Sequence, residues 1–368
     1  MNQQTYPEGL LSRYYLLLNS ISINPSKIIL TSKAVELRLR HPFNLAGSSR
    51  TVTPSVLVQF EYDGVRAYGE AALPPYLGET AEAALSFIAQ IKFSTMGTSS
   101  SLTGLITQVD SLGHGHTAAK ASIDMALHDL AAKLTQKPLH QIWQLNPSAV
   151  PQSSFTIGID EPDIVRQKVR EAGNQALLKV KLGRANDREL IGAIRTESQS
   201  PLMVDANQGW TDKFEALDKI CWLKEQGVVL VEQPMPVGQL NDTAWLTAHS
   251  PLPVFADESI QRFCDLERIS GAFSGINIKL MKCTGLFEAH RLIAAARHQN
   301  LSVMIGCMTE TSCGISAAAQ LAPLADWTDL DGNLLITNDY FEGSKIENGK
   351  ISLNSLPGTG AKPVGAIF

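Results

Sequence analysis

The sequence lacks most of the signatures that place a chain quickly. Its five cysteines, an odd number scattered between Cys221 and Cys313, do not form a disulfide framework. Spacings such as Cys307 to Cys313 match no zinc pattern, so the thiols read as small buried residues in a reducing, cytoplasmic setting. No apolar stretch reaches the roughly 18 residues needed to span a bilayer. Positive charge is not in excess. A net charge of −5 and an isoelectric point near 5.9 argue against nucleic acid or an anionic membrane as partner. A glycine-rich turn after the first strand, the usual ligand cradle of a doubly wound open sheet, is also missing.

What is present is material for a large core: 368 residues, 44% hydrophobic and 18% charged. That suffices for one large domain and a smaller one. Residues 1–25 carry one arginine ahead of a short apolar patch and no small-residue cleavage site. They read as a poorly ordered extension, or an upstream start, rather than a signal peptide. Residues 26–150 read as an α+β unit. Two alternating runs, SKIILTSKAVELRLR and SVLVQFEYDGVRAYGEA, predict antiparallel strands joined by the polar loop HPFNLAGSSRTVTP. In TAAKASIDMALHDLAAKLTQ, Ile123, Ala126, Leu127, Leu130 and Leu134 fall on one helical face.

From residue 151 to 335 the texture becomes a regular strand–helix alternation. Eight apolar runs (FTIGI, LLKVKLG, LMVDANQ, VVLVEQP, VFADES, INIKLMK, SVMIGCM and ADWTDLDG) are separated by helical stretches. Eight such units predict an α/β fold of the (β/α)8-barrel type with the N-terminal α+β unit as a second domain. Residues 336–368 are expected to return to that unit.

Asp205, Glu232 and Asp257 close three successive runs about 25 residues apart. Side chains at the carboxyl ends of parallel strands converge on one face, and three carboxylates meeting there repel unless a divalent cation sits between them. An all-oxygen set suits Mg²⁺, with Mn²⁺ as a substitute. Asn207, Gln233 and Glu258 follow as polar residues that could hold a metal-bound water or orient a ligand. Lys179 and Lys181, two apart on a strand, share the lumen face. Each is expected to depress the pKa of the other, making a usable general base. Lys279 lies four strands further round, roughly opposite. Lys282 differs from it in strand parity and reads as a solvated strand end. A carboxylate substrate on the metal, with a lysine on each face, describes abstraction of an α-proton through an enediolate.

With these motifs in hand, the chain resembles the enolase superfamily, in its muconate lactonizing subgroup, from about Ser26 to the end. KVK at 179–181, DANQGW at 205–210, VEQP at 231–234, ADES at 256–259 and NIKLMKCTG at 277–285 carry the likeness. The resemblance implies one Mg²⁺ per subunit on Asp205, Glu232 and Asp257, with Lys181 and Lys279 as the acid/base pair. Lys179 would lie beside Lys181 and the substrate carboxylate, and the N-terminal unit would be a capping domain. It also implies a homo-oligomer, and it marks His128 as a packing substitution for an aromatic residue.

Two further features resemble dipeptide epimerases. Asp329-Leu-Asp331 would capture a free α-ammonium, a task suited to paired carboxylates. Arg50 falls where L-Ala-D/L-Glu epimerases grip the glutamate side chain. Thr156 and Met308 complete the implied substrate-binding set. The implied activity is a two-lysine 1,1-proton transfer that inverts the second residue of a dipeptide derived from peptidoglycan. A lyase of the o-succinylbenzoate synthase kind, an N-acyl amino acid racemase and a silent binding protein on the same barrel stay open as alternatives.

Overall fold

The computed structural model describes residues 20–44, 49–97 and 100–368, together with Gly9, Ser12 and Tyr14. The expectation for residues 1–25 therefore falls largely outside the described residues.

Strand β1 (Ile29–Asn44) pairs antiparallel with β2 (Ser49–Tyr62), and β2 pairs with β3 (Val65–Ala72). The second turn is Asp63-Gly64, both at positive φ, as a two-residue hairpin requires. The polar stretch predicted as a loop is mostly strand. Pairing continues to Phe43 opposite Arg50 and Asn44 opposite Ser49, with a register irregularity between Arg38 and Phe43. Thr51, Val52 and Thr53 are β-branched, and with a partner strand alongside they extend rather than loop.

Helices α1 (Ala81–Gln90) and α3 (Thr117–Leu134) cover this sheet, and α2 (Leu102–Ser111) packs on α3. Every residue of α3 from Ala118 to Ala132 is buried, so the one-sided face expected from the sequence is too narrow. Leu134, assigned to that face, is 38% exposed. The helix is covered on two sides. Against the sheet it approaches so closely that a Cβ on Gly69 would lie 1.8 Å from the Ser122 carbonyl oxygen, a position only glycine tolerates. On its other side Asp124 accepts from the backbone N–H groups of Leu286 and Phe287, at 2.5 and 3.3 Å, at the start of a barrel helix.

The barrel is eight parallel strands in sequence order: β4 (Phe155–Ile157), β5 (Leu178–Lys181), β6 (Leu202–Asp205), β7 (Val228–Glu232), β8 (Val254–Ala256), β9 (Gly275–Lys279), β10 (Ser302–Gly306) and β11 (Trp327–Asp329). A parallel bridge between Ser153 and Thr328 joins the last strand to the first. Six of the crossover helices are α4 (Pro162–Ala172), α5 (Asp187–Glu197), α6 (Lys213–Glu225), α7 (Leu240–His249), α8 (Leu286–His298) and α9 (Ser312–Ala319), while a single turn at Asp265–Arg268 serves between β8 and β9. No helix follows β11. Instead the chain returns to the N-terminal sheet: Arg40 N–H donates to the Leu335 carbonyl at 2.9 Å, and Thr337 N–H donates to the Arg38 carbonyl at 2.9 Å. Among the described residues no helix is long and apolar enough to cross a membrane.

Candidate metal and acid–base site

Strand register brings the acidic residues together. Lys181 pairs with Asp205 and Asp205 with Glu232, each the last residue of its strand. Asp257 stands two residues past Phe255, the partner of Glu232, and so has the same parity. All three carboxylates are buried, and each offers an oxygen within 4.8 Å of the others. Glu232 Oε2 receives no hydrogen bond, although Lys179 Nζ forms an ion pair with it at 2.6 Å. A buried cluster of hard oxygens with a spare lone pair fits Mg²⁺.

Four lysines surround the cluster. Lys179 Nζ lies 2.7 Å from Asp329 and 3.4 Å from Asp205, and Lys181 Nζ lies 2.6 Å from Asp205. Lys279 Nζ donates to Asp257 Oδ2 at 2.7 Å from the opposite side. Burial alone would lower the pKa of Lys179, but Asp329, Glu232 and Asp205 overturn that and hold it well above the ordinary lysine value. The same contest, won chiefly by Asp257, raises Lys279. The sequence-based expectation that Lys179 and Lys181 depress one another thus fails for Lys179, because carboxylates stand nearer than the other ammonium. Burial raises Glu232, helped by Asp205. Burial would raise Asp257 too, but Lys279 and Lys282 keep it well below the carboxylate range.

Lys282 is not the solvated strand end that its strand parity predicts. Its side chain is buried and reaches Asp257 Oδ1 at 2.6 Å, from a turn where strand parity does not apply. Of the three polar followers, Asn207 and Glu258 line the cavity beside the cluster, whereas Gln233 does not. Its amide is spent on Met235, Ser259 and the Asp257 backbone.

That cavity, about 210 Å³, is bounded by Lys181 and Lys279, by Asp329 and Asp331, and by Arg50, Thr156 and Met308. Every substrate-binding candidate except Lys179 lines it. A larger cavity of about 440 Å³ adjoins at Phe43, Thr156 and Leu335 but holds none of the cluster residues; the chemistry sits in the smaller one. Asp329 is held by Ser154 Oγ at 2.8 Å and Lys179, and Asp331 accepts from Thr156 N–H at 2.6 Å. Burial and the neighbouring Asp329 push Asp331 up to about 7.

Arg50 comes from β2 rather than a loop. Its guanidinium lies 4.9 Å from the Phe43 ring centroid, donates to Thr53 Oγ1 at 3.0 Å, and has no carboxylate partner among the described residues. Burial lowers its pKa. Tyr76 was missed. It enters from a one-turn helix of the N-terminal unit (Pro75–Leu77), and its hydroxyl donates to Met308 Sδ at 3.4 Å.

Residues 163–366 match the family described as enolase C-terminal domain-like. Residues 27–143 match the mandelate racemase / muconate lactonizing enzyme N-terminal domain. The chain belongs to the enolase superfamily. Within that superfamily it is an isomerase, and its similarities include several dipeptide epimerases alongside N-acyl amino acid racemases. It is 54% identical over 339 residues to the L-Ala-D/L-Glu epimerase of Bacteroides thetaiotaomicron, covering 92% of this chain and 88% of that protein. Among solved structures it resembles the L-Ala-D/L-Glu epimerase of Bacillus subtilis, solved with substrate, at a TM-score of 0.84 and 28% identity over 90% of this chain and 98% of that one. It also resembles a dipeptide epimerase of Enterococcus faecalis complexed with Mg and L-Leu-L-Tyr, at a TM-score of 0.83 and 30% identity, covering 91% of this chain and 99% of that one.

Proposed function

We propose that this protein inverts the α-carbon of the C-terminal residue of a dipeptide, L-Ala-D/L-Glu, drawn from peptidoglycan peptides. The observation that carries the reading is the placing of Lys181 and Lys279 on opposite sides of one carboxylate cluster, both lining one cavity. Asp205, Glu232 and Asp257 would hold Mg²⁺ or Mn²⁺, which supplies a Lewis acid for the substrate carboxylate and so acidifies its α-proton.

The chain's own residues do the rest. One lysine, in its neutral form, takes the α-proton; for Lys279 the charge of Asp257 opposes that form, and a cation held by Asp257 would offset it. The electron pair moves into the substrate carboxylate, and the ammonium of the other lysine returns a proton to the opposite face. Either lysine can begin, so both epimers are substrates. Asp329 and Asp331 face the dipeptide's α-ammonium, and an arriving cation favours the charged form of Asp331. Arg50, a half-buried cation without an acidic partner among the described residues, suits the glutamate side-chain carboxylate. Lys179 balances the charge of the cluster from the Asp329 side.

An N-acylated amino acid or an o-succinylbenzoate precursor would leave Asp331 without a cation, since Lys179 pairs with Asp329, which favours the dipeptide. The deciding experiment incubates the protein with Mg²⁺ and L-Ala-L-Glu in D₂O and follows the glutamate α-proton by NMR. Loss of that signal with appearance of L-Ala-D-Glu is expected. No exchange in Mg²⁺-loaded protein would move the assignment to a lyase or an N-acyl amino acid racemase. As part of the same reading, residues 26–150 act as the cap and 151–335 as the catalytic barrel, in a cytoplasmic homo-oligomer.

A further inference from the structure

Asp257 is gripped by two lysines that are not equivalent. Lys279 lines the cavity, and Asp257 Oδ2 is its one hydrogen-bond acceptor among the described residues. Lys282 stands outside the cavity wall. Its ammonium spends three donors on fixed oxygens: Asp257 Oδ1 at 2.6 Å, the Asp257 carbonyl at 2.7 Å and the Asn277 carbonyl at 2.9 Å. The turn after β9 folds Lys282 back to this place, with its N–H bonded to the Lys279 carbonyl at 2.9 Å.

The support runs on to a second carboxylate. Asn277 Nδ2 donates to Glu232 Oε1 at 2.8 Å. Asn277 is itself confined, because a Cβ on the facing Gly306 would lie 2.4 Å from its Oδ1. Lys282 and Asn277 therefore tie the ends of β7, β8 and β9 together behind the cluster.

We propose that Lys282 is a positioning residue. It fixes Asp257 from behind, so that Lys279 can leave Oδ2 for the substrate's α-carbon while the carboxylate keeps its aim. Were Lys279 the only ammonium on Asp257, each excursion toward substrate would strip the carboxylate of its hydrogen-bonded partner and let it turn. With three fixed acceptors, Lys282 does not share that motion. A lysine buried without a negative partner is costly, so Lys282 and Asp257 hold each other in place. The role in catalysis rests on the epimerase reading; the role toward the cation does not.

The test compares wild type with Lys282→Met and Lys282→Gln. Circular dichroism melts establish folding first; should the methionine variant fail to fold, the glutamine variant, which keeps an N–H toward Asp257, carries the comparison. Titration calorimetry with Mg²⁺ alone is expected to show affinity weakened by about 10- to 100-fold, the usual cost of losing a group that orients a metal ligand. Deuterium wash-in at the α-carbon is then measured from each epimer. The direction served by each lysine is assigned with Lys181→Ala and Lys279→Ala.

Loss of Lys282 is expected to slow the Lys279 direction at least about 10-fold more than the Lys181 direction. A general loosening of the fold would slow both alike. Unchanged or tighter Mg²⁺ binding would overturn the positioning role, because removing a bystander cation favours a metal on electrostatic grounds. Equal slowing of the two directions would overturn the link to Lys279. A wild type that binds Mg²⁺ yet exchanges no dipeptide proton would defeat the epimerase reading instead, and calorimetry would still decide the Lys282 role.

Discussion

Lys181 and Lys279 face the cavity from strands that lie four apart, and their individual loss should separate the two directions of the reaction. In Lys181→Ala, α-proton exchange from one epimer is expected to fall by about 10²- to 10⁴-fold, the range for a lost general base. Exchange from the other epimer should survive in part. NMR in D₂O reads both, and normal turnover of the affected epimer would remove Lys181 from the mechanism. Asp331 is held by Thr156 beside Asp329 and has no hydrogen-bonded cation among the described residues. Asp331→Asn removes the charge but keeps the shape. A charge-assisted hydrogen bond is worth about 1.5–3 kcal/mol, so kcat/KM for a dipeptide should drop about 10- to 150-fold. An unaltered kcat/KM would favour a substrate with no amino group. Arg50→Met belongs beside it. The preference for Ala-Glu over Ala-Leu should shrink by a similar factor, measured as a ratio of kcat/KM values.

At the scale of elements, helix α8 is braced from the N-terminal unit. Asp124 on α3 accepts from the first N–H groups of α8, the helix that follows the Lys279–Lys282 turn. Gly285, at φ 115, leaves room for that carboxylate, which lies 2.3 Å from where a Cβ would stand. Asp124 thus acts as an N-cap supplied from another domain. Asp124→Ala should lower stability by about 0.5–2 kcal/mol, read by urea denaturation. A shift above that range would mean the contact also holds the two units together. The sequence pattern located α3 and α8 but not this bond, since periodicity reports which face is apolar and says nothing of a partner 162 residues away.

At the scale of the whole molecule, one of the places where the N-terminal unit meets the barrel is the junction of α3, α8 and Trp143. His290 is fully buried there, with its ring stacked on Tyr14 at 4.0 Å and set edge-on to Trp143 at 4.6 Å, and neither ring nitrogen has a hydrogen-bond partner among the described residues. Burial, with His128 nearby, lowers its pKa from the usual 6.5 to about 3. The folded state therefore refuses a proton that the unfolded state accepts below 6.5, and stability is lost as the pH falls from 6.5 toward 3. By pH 5 this group's share is about 2 kcal/mol. His290→Phe should flatten the fall in unfolding free energy between pH 7 and 5, measured by urea titration at each pH. An unchanged slope would place the acid sensitivity elsewhere. His128, where the resemblance implies a packing substitution only, is also polar in its role: it bonds Tyr14 Oη and the Asp124 carbonyl, both at 2.9 Å.

The sequence by itself determined the barrel, the carboxylate cluster and the opposed lysines. Each rests on a period: residues two apart share a strand face, and strand ends one crossover apart share a barrel mouth. Lys179, Lys181, Asp205, Glu232, Asp257 and Lys279 could therefore be found by counting. Only the tertiary structure decided what side chains from irregular backbone or from the other domain do. Lys282 sits in a turn, where counting assigns no face. Tyr76 enters from a one-turn helix, and Arg50 lines the cavity from a strand whose pairing continues through Phe43 opposite Arg50 to Asn44 opposite Ser49. The protonation of the cluster likewise depended on distance. Lys179 is raised rather than depressed because three carboxylates crowd its ammonium, and electrostatic energy follows spatial separation and burial, which spacing along the chain does not encode.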